Sequence, residues 1–320
     1  MRRSRSRLLA ASAVALALVV AGCGSDDKET TTETTGGSAG GEQATFDFVP
    51  LDAGGPNTKS ALEKGDIDIA LLFSSDGAIA KNDWVALEDD KDLQPVDNFV
   101  PAVRTDALTP EITAVLDAVS AALTVEDMQE LVAAVSIDGE NPADVAKTFL
   151  EGVEVPDVAV SGDLVVGSAN FAESEITAEL YAQALEAAGA SVEKKLQFGA
   201  RDVYLPALEG GELDIVPEFV GTLAYFFDPN AAVSSDLEAS LAVARGLAEA
   251  RGVTLLEPAP ADSVNTFVVT KETADEHGLK TVSDLATVTE ALTLGGPPEC
   301  PERPLCLKGL IDTYGLKFNT

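Results

Sequence analysis

Short apolar runs alternate with amphipathic stretches along residues 45–320. Apolar runs of about four to eight residues bounded by glycine, proline or acidic residues are typical of buried strands, and apolar residues at helical spacing are typical of surface helices. The pattern predicts strands over residues 47–52, 67–72, 84–87, 99–103, 164–167, 192–196, 213–216, 265–269 and 292–295. It predicts helices over residues 57–64, 110–122, 124–135, 141–151, 172–189, 201–209, 220–227, 235–250, 271–277, 281–286 and 307–314. Strands that alternate with helices predict an α/β fold with mostly parallel sheets.

One pattern occurs twice, because residues 61–73 (ALEKGDIDIALLF) are similar to residues 207–219 (ALEGGELDIVPEF). Each copy predicts the end of a helix, a glycine break, a short buried strand and a phenylalanine, Phe73 or Phe219, where the strand ends. Ligands in open α/β sheets bind beyond the carboxyl ends of the strands. The repeat therefore predicts two similar lobes that each present an aromatic ring to a shared cleft. Chance similarity between two helix–turn–strand units is the alternative.

Residues 1–22 have the pattern of a lipoprotein signal peptide, with four arginines, an apolar stretch and then Val-Ala-Gly before Cys23. Cys23 is predicted to be the lipidated first residue of the mature chain, and an ordinary signal peptide or an uncleaved anchor is the alternative. Residues 23–44 consist of this cysteine and a stretch rich in Gly, Ser, Thr and acidic residues, which is typical of a flexible tether. The predicted location is extracytoplasmic, anchored to the cell membrane by the lipid on Cys23.

The chain is strongly acidic, since its 320 residues carry a formal charge of −33 at pH 7. This charge argues against nucleic acid as a partner, because phosphate binding requires clustered lysine and arginine. A hydrophobic content of 46% is sufficient for one large domain or for two lobes. The aspartates of the repeated segment, Asp68 and Asp214, are interpreted as structural.

Cys300 and Cys306 flank a proline-rich loop and are the only cysteines after Cys23. In an exported chain this spacing favours a disulfide over a metal site, because two thiolates would need two further ligands. The chain has one histidine, His277, and it offers no Ser-His-Asp arrangement, metal-ligand cluster or phosphate-binding loop. These features predict no metal, no cofactor and no enzymatic activity, although a hydrolase that uses a pair of carboxylates stays open as an alternative.

Four motifs resemble the substrate-binding proteins of glycine betaine/choline/carnitine ABC importers, which take up quaternary ammonium osmoprotectants. They are LVVGSANFAES at 164–174, DIVPEFVGT at 214–222, VNTF at 264–267 and VSDL at 282–285. The resemblance covers nearly all of residues 45–320. It implies a two-lobed type II periplasmic-binding-protein fold, in which two hinge strands join the lobes and the lobes close on the ligand.

The order of these motifs differs from the family's usual order, which begins with the segment found here at residue 164 and ends near residue 150. The chain is therefore predicted to be circularly permuted, and a mis-assembled or truncated tandem chain is the alternative. Lobe one is then expected over 99–267, and lobe two over 45–98 plus 268–320. A permutation is physically acceptable when the original termini lie close together, and it requires residues 45 and 320 to be neighbours in one lobe.

The resemblance also implies an aromatic cage for the ligand. A quaternary ammonium group has no N–H to donate, so ring faces, carboxylates and shape must hold it. The positions that match the family's cage are Phe219 and Phe267 from lobe one and Phe73 from lobe two. All three are phenylalanine, which attracts a cation but cannot donate a phenolic hydrogen bond. Core packing is the alternative for each ring taken singly.

Asp97 lies where the family usually has another cage aromatic residue. A carboxylate at this position could pair with the ligand's cation, and a solvated acid in the hinge loop is the alternative. The resemblance further assigns Asn265, Thr222 and Ser174 to polar positions of the pocket, where they could bind a carboxylate or hydroxyl of the ligand.

The function implied by the resemblance is solute capture for an ABC importer. The protein is expected to bind a glycine betaine- or choline-type compound between its lobes and to deliver it to a membrane permease that works with an ATPase. The alternatives are a different cationic or zwitterionic solute, such as ergothioneine or an amino acid, or a role as a surface sensor.

Overall fold

The computed structural model describes residues 43–319. The predicted signal peptide, Cys23 and residues 24–42 of the predicted tether lie outside the described residues. Within the described part, no helix is long and apolar enough to cross a membrane.

Strands and helices alternate along the described chain. The strands are β1 Thr45–Pro50, β2 Ile69–Phe73, β3 Val85–Ala86, β4 Phe99–Arg104, β5 Asp163–Ala169, β6 Ser191–Gly199, β7 Ile215–Phe219, β8 Val253–Leu255, β9 Asn265–Val269, β10 Thr293–Gly296 and β11 Lys317–Phe318. The helices are α1 Pro56–Lys64, α2 Gly77–Lys81, α3 Pro110–Ala122, α4 Val125–Ser136, α5 Pro142–Leu150, α6 Ala172–Ala187, α7 Arg201–Glu209, α8 Val220–Phe227, α9 Leu237–Glu249, α10 Lys271–His277 and α11 Leu307–Tyr314.

The strands form two sheets, so the predicted α/β class is confirmed. One sheet has the order β11-β1-β10-β2-β9-β3 and the other the order β6-β5-β7-β4-β8. In each sheet one strand, β9 or β4, runs antiparallel to both of its neighbours, and the other pairings are parallel. We call each sheet with the helices packed on it the six-stranded or the five-stranded lobe.

A few elements differ from the sequence prediction. The pattern gave no strand at β8 and no helix at α2, because three and five residues are too few to show a period. The segment predicted as a helix over 281–286 is a 3-10 helix, Val282–Thr287. It begins with a capping box, in which the Thr281 hydroxyl and the Asp284 carboxylate bind each other's backbone N–H.

Two segments cross between the lobes and are hydrogen-bonded to each other there. Phe99 N donates to Ala261 O (3.1 Å), Ala259 N donates to Phe99 O (2.7 Å), and Ser263 N donates to Asp97 O (3.1 Å). These bonds join the residues leading into β4 to the residues leading into β9. β9 lies wholly in the six-stranded sheet, whereas the predicted lobe boundary falls after residue 267. The predicted lobe boundaries themselves remain a prediction.

The repeated segment makes the same bond in both lobes. Asp68 Oδ2 accepts a hydrogen bond from Thr293 N (2.8 Å), and Asp214 Oδ2 accepts one from Val165 N (2.9 Å). In each case the carboxylate links the repeated segment to the neighbouring parallel strand, β10 or β5. The structural interpretation of the two aspartates is thereby confirmed.

In both lobes, a glycine in a strand also lets an aliphatic side chain pack close to the backbone. A Cβ atom on Gly167 would lie 2.7 Å from Leu213 Cδ1, and one on Gly295 would lie 2.5 Å from Ile67 Cδ1. Glycine at these positions of β5 and β10 therefore admits the aliphatic side chain that precedes the aspartate of the repeat. The two copies occupy the same place in their lobes, which chance similarity in sequence does not explain.

The two ends of the described chain lie side by side in the six-stranded sheet. β11 pairs in parallel with β1, with Thr45 opposite Lys317 and Phe46 opposite Phe318, and Asn319 N donates to Phe46 O (2.8 Å). A circular permutation requires this proximity, and the permutation itself stays a prediction.

Replacing Asp214 by asparagine is expected to lower the free energy of unfolding by about 1–3 kcal/mol. The side chain is buried, and its Oδ1 also pairs with Arg104 Nη2 at 2.6 Å, so the substitution leaves that arginine without its anion. Urea unfolding of the variant measures the loss. Asp66→Asn, at an exposed position of the other copy of the repeat, is the control. An equal effect of the two substitutions would contradict the assignment.

Candidate functional site

Two cavities lie next to each other between the lobes. The hinge cavity has a volume of about 300 Å³ and the ring cavity one of about 410 Å³, which is the size range of small-molecule sites. Both are lined by Phe73, Asp97, Thr222 and Ser263. Polar and aromatic side chains that line only the hinge cavity are Gln94, Tyr225, Asn265 and Arg303. Those that line only the ring cavity are Phe171, Glu173, Arg201 and Phe219.

Three phenylalanine rings surround the ring cavity. Phe73 ends β2 in the six-stranded lobe, and Phe219 ends β7 in the five-stranded lobe, so the structure brings the two predicted rings together from opposite sides. Phe171 is the third ring, and its centroid lies 6.1 Å from that of Phe219. Phe73 and Phe171 are each 43% exposed, which leaves ring faces open to a ligand. Phe171 belongs to the 164–174 motif and lies two residues after the end of β5, whereas Phe73 and Phe219 are the last residues of their strands.

Phe267 does not reach either cavity. It is 2% exposed and packs in the apolar core of the six-stranded lobe. The antiparallel register of β9 with β2 sets Asn265 opposite Phe73, at the cleft, and Phe267 opposite Leu71, two residues deeper in the sheet. The core-packing alternative therefore describes Phe267.

Asp97 is a buried carboxylate at the start of a helix. Its Oδ1 accepts hydrogen bonds from the backbone N–H groups of Gly221 and Thr222, both at 2.9 Å, in the first turn of α8. Burial raises the pKa of the Asp97 carboxyl to about 6, while the Thr222 and Gly221 N–H groups act in the opposite direction. Asp97 is only 9% exposed, so the alternative of a solvated loop acid is wrong.

Glu173 is a second carboxylate of the ring cavity and was missed by the sequence analysis. It lies in the first turn of α6, directly after the Phe171 turn. Its Oε1 accepts a hydrogen bond from Ser75 Oγ (3.2 Å), and Ser75 Oγ lies 2.9 Å from Ser263 Oγ. Burial raises the pKa of the Glu173 carboxyl above its usual value. The sequence signal was an acid two residues after Phe171, an aromatic residue that lies just beyond the end of β5.

The guanidinium of Arg201 is engaged by the protein itself. It binds Glu218 through Nε (3.0 Å) and Nη2 (2.8 Å), and Nη2 also donates to Thr222 Oγ1 (3.0 Å). Glu218 is fully buried and also accepts a hydrogen bond from Tyr204 Oη (2.7 Å). Arg201 therefore positions Thr222 and stabilises a buried carboxylate, instead of presenting a free charge to the ring cavity.

The wall of the hinge cavity is built partly by the cysteine loop. Cys300 and Cys306 form a disulfide, with their Cα atoms 5.2 Å apart. Gln94 Nε2 donates to Leu305 O in this loop (3.0 Å), and Asn265 Nδ2 donates to Gln94 Oε1 (3.4 Å). Asn265, which was predicted to line the pocket, lines the hinge cavity. Its amide contacts Gln94, whose amide in turn binds the cysteine loop. Among the described lining residues of this cavity, Arg303 is the one cationic side chain.

Ser174 lines neither cavity. It is 1% exposed, and its hydroxyl accepts a hydrogen bond from Ala169 N (2.9 Å). Ser174 therefore stabilises the turn between β5 and α6 and does not contact the cleft. Thr222, the other hydroxyl residue predicted for the pocket, lines both cavities.

Over residues 43–319, no group of three or more His, Cys, Asp and Glu side chains is arranged to hold a metal ion. What the cleft offers to a ligand is phenyl rings, two carboxylates, amides and one guanidinium.

Two solved structures show a distant likeness to this chain. NikA from Brucella suis, in complex with Fe(III)-EDTA, is 15% identical, with a TM-score of 0.33, over 67% of this chain and 55% of that one. The nickel ABC transporter protein from Bacillus halodurans is 13% identical, with a TM-score of 0.34, over 67% of this chain and 56% of that one.

Curated relatives give a closer sequence match. The glycine betaine-binding protein YehZ of Escherichia coli (strain K12) is 31% identical over 175 residues, which are 53% of this chain and 57% of the relative. A glycine-betaine-binding protein of Pseudomonas aeruginosa is 28% identical over 176 residues, which are 52% of this chain and 56% of the relative. The matched region thus spans a little over half the length of these relatives.

The family model described as the substrate binding domain of ABC-type glycine betaine transport systems matches residues 39–152 and 162–320. These two segments include both sheets and every residue that lines the two cavities. The chain therefore belongs to the family of substrate-binding domains of ABC-type glycine betaine transport systems.

Proposed function

We propose that this protein captures a quaternary ammonium compound of the glycine betaine or choline type outside the cytoplasm and delivers it to the permease of an ABC importer. In this proposal Cys23 carries the lipid that keeps the protein at the membrane. The observation that carries the proposal is the ring cavity, where three phenylalanine rings and two carboxylates face one space.

A trimethylammonium group needs such surroundings. It offers no hydrogen-bond donor, so attraction must come from ring faces and from negative charge. Each ring contributes about 0.5–2 kcal/mol, whereas micromolar affinity requires about 8 kcal/mol. Three rings alone fall short of that value, so we expect the carboxylates to supply much of the remainder.

Asp97 is well placed to supply negative charge. Two backbone N–H groups hold its carboxylate in position, so little reorganisation is needed when a cation arrives. Its burial weakens screening by water and strengthens attraction to a ligand cation in the same space. Asp97 lines both cavities, so the cation of a ligand that extends from one to the other stays near it.

The hinge cavity suits the other end of a zwitterion. The planar guanidinium of Arg303 can bind a carboxylate through two parallel hydrogen bonds. The acid near it, Glu299, lies 3.7 Å away, and both side chains are about half exposed, so their pairing is weak. A ligand with a trimethylammonium group in the ring cavity and a carboxylate in the hinge cavity would place its positive end near the carboxylates and its negative end near Arg303.

Glycine betaine, choline and carnitine are expected to raise the melting temperature of the mature protein, while arginine and ectoine leave it unchanged. A ligand at 100 times its Kd stabilises the folded state by about 2.7 kcal/mol, which corresponds to about 5–10 °C for a chain of this size. Thermal-shift titrations followed by calorimetry measure this. If only arginine or ectoine raised the melting temperature, the proposed ligand class would be wrong.

Phe171→Ala is expected to weaken trimethylammonium binding about 3- to 30-fold, because one cation–π contact is removed. Phe226→Ala is the matched control, since Phe226 is 47% exposed against 43% for Phe171 but lines neither cavity. Calorimetric Kd values for the two variants decide the matter. Equal losses of affinity would show that Phe171 does not contact the ligand.

The affinity for a trimethylammonium ligand is expected to fall as the pH drops below about 6, the pKa to which burial raises Asp97. A bound cation favours the ionised carboxylate and lowers this pKa, so binding is strongest above the pKa and weakens as the group is protonated. Calorimetry over a range of about pH 5–8 measures the slope. Asp97→Asn keeps an oxygen for the helix N–H groups and should flatten it. If the affinity of wild type and of Asp97→Asn depended on pH in the same way, Asp97 would not be the group that attracts the cation.

A further inference from the structure

One side chain of the ring cavity also joins the two lobes. Glu173 belongs to α6 of the five-stranded lobe, and its hydrogen-bond partner Ser75 follows β2 of the six-stranded lobe. Ser75 is fully buried and lines neither the hinge cavity nor the ring cavity. The bond between them therefore joins the two lobes at the side of the ring cavity that Glu173 lines.

Among the described residues, no lysine or arginine forms an ion pair with Glu173. Ser75 is neutral, and the lysine of the adjoining wall, Lys59, pairs with Asp76 at 2.6 Å. Burial and the nearby Asp76 charge raise the pKa of the Glu173 carboxyl, while the Ser75 hydrogen bond and the more distant Lys59 charge act in the opposite direction. A cation in the ring cavity would relieve this unfavourable position, because an opposite charge stabilises the ionised form.

The ionised form is also the better acceptor for the Ser75 hydroxyl, since hydrogen bonds to a charged group are stronger than those between neutral groups. A hydroxyl can rotate, and Ser75 has Ser263 Oγ as a second neighbour at 2.9 Å. Ser263 lies on the segment that crosses between the lobes. The strength of the Glu173–Ser75 bond thus depends on the charge of Glu173, and the bond reaches the hinge.

We propose that Glu173 couples the charge of the ligand to closure of the lobes: its carboxylate faces the bound cation in the ring cavity and accepts the Ser75 hydroxyl from the opposite lobe. The inference rests on the proposed function, because it concerns the same cation in the same cavity. Glu173 is then both a wall of the site and one of the residues that hold the lobes together, beside Gln129, which donates to Ser74 O (2.7 Å), and Lys81, which pairs with Asp138 at 2.6 Å. A neutral ligand of equal shape would not strengthen the bond.

Stopped-flow measurement of glycine betaine and choline dissociation from the mature protein tests this coupling. Ser75→Ala removes the bond across the cleft but touches neither ligand cavity. We expect it to raise the dissociation rate about 3- to 10-fold, the loss typical of one hydrogen bond. Ser120→Ala is the matched control, because Ser120 is equally buried and bonds Tyr181 Oη (3.0 Å) inside one lobe. It should change the rate less than 2-fold.

Glu173→Gln gives a second, independent arm, since glutamine keeps an acceptor for Ser75 and removes the charge. It should raise the dissociation rate about 10-fold, because a charge-assisted hydrogen bond is replaced by a weaker neutral one and the attraction to the cation is lost. The double variant should dissociate little faster than Glu173→Gln alone, because both changes act on one coupled contact. Melting temperatures without ligand confirm that each variant is folded.

The outcomes separate the two proposals. If wild-type protein binds neither compound, the proposed function fails and the inference fails with it. If wild type binds and Ser75→Ala behaves as Ser120→Ala does, the coupling is wrong and the ligand class stands. If Ser75→Ala and Glu173→Gln multiplied the dissociation rate independently, the coupling would also be wrong, because Glu173 would then contact the ligand without acting through Ser75.

Discussion

The hydrogen-bonded crossing of the two segments between the lobes is the constraint on which the site depends. The backbone bonds of Phe99 and Ser263 tie the crossing segments together, so the carboxyl ends of β2 and β7 face each other across a narrow space. Phe73 and Phe219 meet there because each ends its strand. The same crossing places Asp97 against the first turn of α8, where two backbone N–H groups hold it.

Charge in this cleft is divided between engaged and available groups. Arg201 and Glu218 neutralise each other within the five-stranded lobe, whereas no cationic side chain among residues 43–319 forms an ion pair with Asp97 or Glu173 at the ring cavity. Buried carboxylates of this kind are unfavourable unless a cation or hydrogen bonds compensate them. The cationic ligand proposed above would supply that compensation and would thereby link the stability of the cleft to its occupation.

The repeated aspartate stabilises each lobe through contacts within that lobe. Asp68 and Asp214 each bind the backbone of the adjacent parallel strand, and each repeat ends with a strand that reaches the cleft. These contacts lie within one lobe and do not depend on which lobe comes first. The neighbouring positions of residues 45 and 319 in one sheet likewise leave the six-stranded lobe intact whichever element begins the chain.

The sequence by itself determined the α/β class, the repeated unit and the strand-end positions of Phe73 and Phe219, because each depends on local periodicity and on a few neighbouring residues. Tertiary structure alone decided that Phe267 packs in the core and that Phe171 lines the cavity, since strand register and lobe packing fix which way a ring faces. The same holds for Glu173, whose partner lies 98 residues away in the other lobe. Contacts between lobes have no local pattern, so only the folded chain reveals them.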